Sequence, residues 1–203
     1  MTLYNVDGQS ILQDENSCFK NKKMVCFGDS LTEVNAQYTK GWHEWVSDIL
    51  DLSSYTNEGV SSATSSGVLS QINNYTPTGE NIVTVMHGSN DTGIADSTEQ
   101  NNIKAICEAA KTKFPTAIII YITPHYQTKY QVGTNTTQNI RSDVLEIAPL
   151  YSIAVYDNYQ FMGLYESNLS ILTNDNCHWN DKGHEVVGKN LAKWILTNFR
   201  YVY

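Results

Sequence analysis

The sequence predicts an α/β domain in which one parallel five-stranded sheet lies between two layers of helices. Short apolar runs bounded by turn residues recur along the chain, and between them lie stretches with apolar residues at helical spacing. A chain of 203 residues with 41% hydrophobic composition is also long enough to bury one substantial core.

The first strand is read at Met24–Phe27, four apolar residues ahead of a polar turn. Trp42, Trp45, Val46, Ile49 and Leu50 then fall at i, i+3, i+4, i+7 and i+8, one face of a helix. A second strand is expected over Ser54–Asn57, followed by a loop of small residues and a helix from Ser66 to Asn73. Asn81–Met86 is the third strand. Ile103, Ile106, Cys107 and Ala110 mark the next helix, which Pro115 stops. Ala117–Ile122, rich in isoleucine, is the fourth strand. Its exit loop, Thr123 to Thr137, is long and carries His125, Tyr126 and Tyr130. Ile140, Val144, Ile147 and Ala148 give another helix face, Ile153–Tyr156 a fifth strand, and Val187, Leu191, Trp194 and Ile195 a closing helix.

Residues 1–23 are polar and aperiodic and read as an arm or linker ahead of a domain spanning 24–203. Strands that alternate with helices are joined by right-handed crossovers. Five of them suit the flavodoxin-like order 2-1-3-4-5, in which the connections after strands 1 and 3 leave in opposite directions. The crevice between their carboxyl ends is where such sheets bind ligands. Ser30 follows strand 1 and Asn90 follows strand 3, so this order brings them together.

Composition removes several functions. With 13 Lys+Arg against 21 Asp+Glu the net charge is −8, and no stretch concentrates cations as phosphate binding requires. No apolar run approaches the ~18 residues of a membrane span, and the first 23 residues have no signal-peptide core. Localisation stays open, with an extracellular or phage-associated setting and a larger parent protein among the settings considered. Cys18, Cys26, Cys107 and Cys177 have no metal-ligand spacing. Neither a metal nor an organic cofactor is expected, and Cys177 is read as a bystander to its neighbour His178.

The chemistry concentrates at three places. Gly28-Asp29-Ser30-Leu31-Thr32 sets a hydroxyl at the end of strand 1, where a base would make it a nucleophile. Asp175-Asn176-Cys177-His178 supplies an imidazole and, three residues earlier, a carboxylate able to fold back and fix its tautomer. Gly59 and Asn90, with the Ser30 N–H, are candidate donors to a developing oxyanion.

These residues resemble the SGNH hydrolases, also called the GDSL esterase/lipase family. Gly28-Asp29-Ser30-Leu31 matches the first family block, and Gly59 in Asn57-Glu58-Gly59 the second. Gly88-Ser89-Asn90-Asp91 matches the third, and Asp175-x-x-His178 with Gly183 the last. All four occur in the family's order. The resemblance implies a Ser30–His178–Asp175 triad with Ser30, Gly59 and Asn90 as oxyanion donors. One departure is that Gly59-Val60-Ser61-Ser62 stands where the family often has Gly-x-Ser-Gly.

Other residues have plainer readings. Asp29 and Asp91 are expected as turn or cap residues, His87 as a strand-end histidine without a catalytic role, His43 and His184 on helix surfaces, and Trp42 in the core. Trp179, Tyr126 and Tyr130 are expected at the rim, as a surface for substrate. The expected function is a serine esterase acting through an acyl-enzyme on small acyl esters, above all O-acetyl groups on carbohydrate. A lipase or thioesterase of the same fold is the alternative enzyme. A glycan-binding module of a phage tail or cell-surface protein is the alternative outside enzymes.

Overall fold

Strand β1, Lys23–Gly28, runs up the middle of the molecule, and from Met24 onward each of its residues is buried. The computed structural model describes residues 18–33, 38–129, 131, 133, 135–164 and 166–199. β1 is flanked by β2 (Ser54–Asn57) and β3 (Ile82–Met86), and β4 (Ile118–Ile122) and β5 (Ala154–Tyr156) extend the sheet. The order is β2-β1-β3-β4-β5 with every pairing parallel. Burial on both faces explains why β1, β3 and β4 read as continuous apolar runs rather than alternating ones.

Alternation reappears in where each side chain goes. Met24, Cys26, Ile82, Met86, Ile120 and Ile122 enter one core, which the apolar residues of α1 (Trp42–Leu50) and α7 (Asp181–Asn198) complete. Val25, Phe27, Val83, Val85, Ile119 and Tyr121 enter the other. That core is closed by α2 (Ser65–Asn74), α3 (Asp96–Lys113) and α4 (Thr137–Ile147). The result is a three-layer sandwich with the expected strand order. Two short helices, α5 (Asn158–Phe161) and α6 (Leu169–Leu172), lie between β5 and α7. Four residues carry too little periodicity to announce a helix in sequence.

Helix ends are set by local chemistry. Glu44 Oε2 accepts the Gly41 N–H at 2.9 Å ahead of α1, and Asn180 accepts the Gly183 N–H at 3.0 Å at the start of α7. The boundary expected at residue 24 is too late. Phe19 is 2% exposed and joins the α1/α7 core, while the Asn21 N–H donates to the Asp51 carbonyl at 2.9 Å. Lys23 is already the first residue of β1. Residues 1–17 of the expected arm lie outside the described residues.

α1 and α7 approach closely because Gly188 faces Trp42 and Trp45. A Cβ there would lie 2.5 Å from Trp45 Cβ and 2.6 Å from the Trp42 carbonyl oxygen. Gly188→Val should therefore lower the unfolding free energy by roughly 2–3 kcal/mol, read from urea denaturation. An unchanged midpoint would show that the helices do not meet at this distance.

Candidate active site

All βα connections open at the carboxyl edge of the sheet, and Ser30 stands in the first of them. The turn is built by Asp29. Its Oδ1 accepts the Leu31 N–H at 2.9 Å, and its carbonyl accepts the N–H groups of Thr32 at 3.0 Å and Glu33 at 2.9 Å. Asp29 is thus a turn residue, as expected, and burial pushes its carboxyl up to about 6. Gly28 leaves room for this turn, since a Cβ would lie 2.2 Å from Thr32 Oγ1. Ser30 Oγ ends 2.9 Å from His178 Nε2.

The imidazole is placed by its own tetrapeptide. Asp175 Oδ1 accepts the N–H groups of Cys177 at 3.2 Å and His178 at 2.8 Å, and Asn176 takes a left-handed conformation at φ 65° to allow the curl. Asp175 Oδ2 lies 3.0 Å from His178 Nδ1. With Nδ1–H donated to the carboxylate, Nε2 is left as the acceptor facing the serine hydroxyl. Lys129 also donates to Asp175 Oδ2. Burial alone would raise the Asp175 carboxyl, but the bonds from Lys129 and His178 outweigh it and hold the group well below the usual carboxylate range. The β4–α4 loop that carries Lys129 is tied to the same segment, its Thr128 N–H donating to the Asn176 carbonyl at 3.3 Å. Lys129 carries no signal in the sequence, because a lone lysine in a polar loop has no pattern.

Asn57 organises the other wall. Its Nδ2 donates to the Thr32 carbonyl at 2.7 Å and meets His43 Nε2 at 3.0 Å, while its Oδ1 accepts the Gly59 N–H at 2.9 Å. Gly59 packs against the chain just after Ser30, where a Cβ would lie 2.4 Å from the Glu33 nitrogen. The N–H expected to point at an oxyanion is therefore held by Asn57. A backbone amide has one hydrogen, and here the neighbouring side chain holds it. Asn90 gives one amide hydrogen to the Ala63 carbonyl at 3.0 Å, and an amide has two.

A family model described as GDSL-like lipase/acylhydrolase matches residues 26–186, which include Ser30, Gly59, Asn90, Asp175 and His178. The chain belongs to the GDSL-like lipase/acylhydrolase family. No curated protein matches it. Among solved structures, a protein from Lactobacillus plantarum superposes with a TM-score of 0.80 at 18% identity, covering 89% of this chain and 99% of that one. An aryl esterase from M. smegmatis gives 0.67 at 17%, covering 87% and 99%. A carbohydrate acetylesterase from Sinorhizobium meliloti gives 0.69 at 15%, covering 88% and 100%. At these identities the likeness is one of fold.

Three expectations for this acylhydrolase need correction. Trp179 is 1% exposed, not at the rim. A bridge between Thr173 and Trp179 turns its indole into the core, against His125 at 5.1 Å and His184 at 5.5 Å between ring centroids. His43 and His184 are likewise buried rather than on helix surfaces. The α1 stripe does not reveal that β2 and α7 cover its flanks: His43 lies against Tyr55 of β2 and Asn57, and His184 Nδ1 accepts the Trp42 N–H at 3.3 Å. Tyr126 is half-buried in an edge-to-face contact with Tyr159 at 6.0 Å, and both line a cleft with Thr128, Gln131 and Thr136. Tyr130 lies outside the described residues. Cys177 is buried, with its thiol pushed up to about 12 mainly by burial, as suits a bystander.

Burial keeps His43 and His184 neutral in this chain. Burial lowers His43 to about 4 and His184 to about 3. The unfolded chain takes up these protons near pH 6.5, so the stability they carry is complete above that pH and is lost as pH falls toward 4. Asp29, raised to about 6, acts in the opposite sense over part of this window. The informative comparison is with His184→Gln, which retains an acceptor for the Trp42 N–H. Between pH 7 and pH 5 this variant should lose roughly 1–2 kcal/mol less stability than the wild type, read from denaturant unfolding. Parallel profiles would contradict a buried neutral His184.

Proposed function

We propose that this acylhydrolase is a serine esterase that cleaves short acyl esters, foremost O-acetyl groups on carbohydrate, through an acyl-enzyme on Ser30. The observation that carries the reading is the continuous hydrogen-bonded chain from Ser30 Oγ through His178 to Asp175. In this mechanism His178 Nε2 takes the hydroxyl proton as Ser30 Oγ attacks the ester carbonyl. The imidazolium, held by Asp175, then gives that proton to the departing alcohol. Water then attacks the acyl carbonyl with His178 again as base, the bond to Ser30 Oγ breaks as the imidazolium returns a proton to it, and the acid is released. The negative oxygen of each tetrahedral intermediate is met by the Ser30 N–H and the second amide hydrogen of Asn90. Gly59 joins them by exchanging its bond to Asn57 for one to the oxyanion. No step requires a cofactor.

Lys129 has a defined part in this scheme. It keeps Asp175 ionised when the enzyme is most acidic, so the tautomer of His178 is preserved. Its charge also offsets part of the carboxylate's field.

The surface chemistry favours a sugar over a lipid interface. A lipase at an interface uses a contiguous apolar or basic face. Here the net charge is −8, and the large apolar side chains exposed among the described residues, Val60, Leu145, Leu150, Phe161 and Ile171, sit on five different segments. The Tyr126–Tyr159 cleft instead offers ring faces with hydroxyls, and Arg141 lies over the Tyr159 ring at 4.9 Å. Such a surface suits a sugar. The carbohydrate acetylesterase among the structural relatives is consistent with it.

Initial rates on p-nitrophenyl esters should fall from acetate through butyrate to octanoate, and an acetylated oligosaccharide should release acetate. Ser30→Ala should remove nearly all of this turnover, about 10⁴-fold or more. A preference for octanoate with no acetate released from any acetylated glycan would favour a lipase or thioesterase. A folded protein that binds glycans without turnover would favour the binding module.

A further inference from the structure

Behind the loop that carries Asn90 lies a second cluster of titratable side chains, apart from the Ser30 crevice. His87 and Asp91 follow β3, Glu99 belongs to the first turn of α3, and all three are buried. His87 Nδ1 lies 3.3 Å from Glu99 Oε1 and 3.5 Å from Asp91 Oδ2, and the three atoms fall within 4.8 Å of one another. Each of the three is buried without a hydrogen-bond partner.

The opposite atom of every one of these side chains is held in place. His87 Nε2 meets the Tyr121 hydroxyl at 2.5 Å, and Asp91 Oδ1 accepts the Ser65 N–H at 2.7 Å. Glu99 Oε2 accepts the Ser65 hydroxyl at 2.7 Å, and Asn102 Nδ2 in turn donates to Ser65 Oγ at 2.9 Å. Each ring or carboxylate is thus oriented from behind and turns its remaining lone pair to a common centre. Metal-binding residues are supported in this way.

A proton on His87 answers this arrangement poorly. Both carboxylates lie within ion-pair distance of Nδ1, yet neither meets it with hydrogen-bond geometry. One proton would also pair with one carboxylate and leave the other charge buried beside Asp29, itself fully buried with an unpartnered Oδ2. Ligand bonds of about 2.0–2.1 Å to a tetrahedral ion place neighbouring donors roughly 3.3–3.4 Å apart. The observed separations from Nδ1 bracket that value.

We propose that His87 Nδ1, Asp91 Oδ2 and Glu99 Oε1 form a binding site for a divalent transition-metal cation, with zinc the best match. A neutral imidazole and two carboxylates carry a charge of −2, which one such ion balances. The nitrogen donor favours zinc or cobalt over magnesium, calcium or manganese, which suit all-oxygen sites. With the second oxygen of each carboxylate bonded to Ser65, each coordinates through one atom, and the fourth tetrahedral position goes to water. The ion joins the β3 exit loop to α3 and, through Ser65, to the start of α2. It therefore braces the segment bearing Asn90 and Ala63 without touching substrate.

The test is metal binding itself, separate from esterase activity. Tag-free protein dialysed against chelator and then metal-free buffer is titrated with zinc sulfate, and metal content is measured after gel filtration. One zinc per chain is expected, with a rise in Tm of roughly 5–10 °C at about a hundredfold excess over Kd. Cobalt should give the visible bands of a tetrahedral ion. Glu99→Gln preserves shape and should lose both the zinc and the shift, its near-ultraviolet circular dichroism showing that it folds. Folded wild-type protein that takes up neither zinc nor cobalt would overturn the proposal. So would zinc bound equally by folded Glu99→Gln.

Discussion

The carboxylate of Asp175 is the point on which the candidate site depends. One oxygen closes the backbone of Cys177 and His178 into a turn, and the other receives the imidazole it has thereby positioned, together with Lys129. A single side chain thus makes the local fold and sets the direction of Nε2. Its ionised form is needed for both tasks. Lys129, reaching in from the β4–α4 loop, joins the bonds from His178 in favouring the ionised form and also fastens two distant loops together. The segment continues through a bridge at Trp179 into the Asn180 cap of α7, so the helix behind the sheet anchors it.

That turn is useful only because the sheet delivers a serine to it. β1 has β2 on one side and β3 on the other, so the loops bearing Gly59 and Asn90 rise on either side of Ser30. A network of fixed amides then shapes the walls: Asn57 holds Thr32, His43 and Gly59, and Asn90 holds Ala63. All but the Asn57–Gly59 bond join segments well separated in the chain. They fix the positions of the crevice walls around Ser30.

What was legible in the sequence follows from where the information is local. Strands buried on both faces announce themselves as apolar runs, and β1, β3 and β4 lie where Met24–Phe27, Asn81–Met86 and Ala117–Ile122 place them. The strand order was legible because alternating strands and helices leave few topologies. Burial of His43, Trp179 and His184 was not, since each depends on which element covers its flank, and helical periodicity describes only the strongest face. Lys129 was hidden for a related reason: its pairing with Asp175 joins polar residues 46 positions apart, whose geometry no spacing encodes. The buried His87–Asp91–Glu99 cluster was half visible, because His87 and Asp91 adjoin a family block while Glu99 approaches only after α3 packs.

The central claim is that Ser30 is an activated nucleophile. Treating the protein with a fluorophosphonate and mapping the adduct by peptide mass spectrometry tests it directly, since an ordinary buried hydroxyl does not react. The account predicts one phosphonyl group per chain on the peptide containing Ser30, lost on heat denaturation before treatment and in His178→Ala. No adduct on folded protein, or an adduct on another residue with Ser30 unmodified, would contradict it.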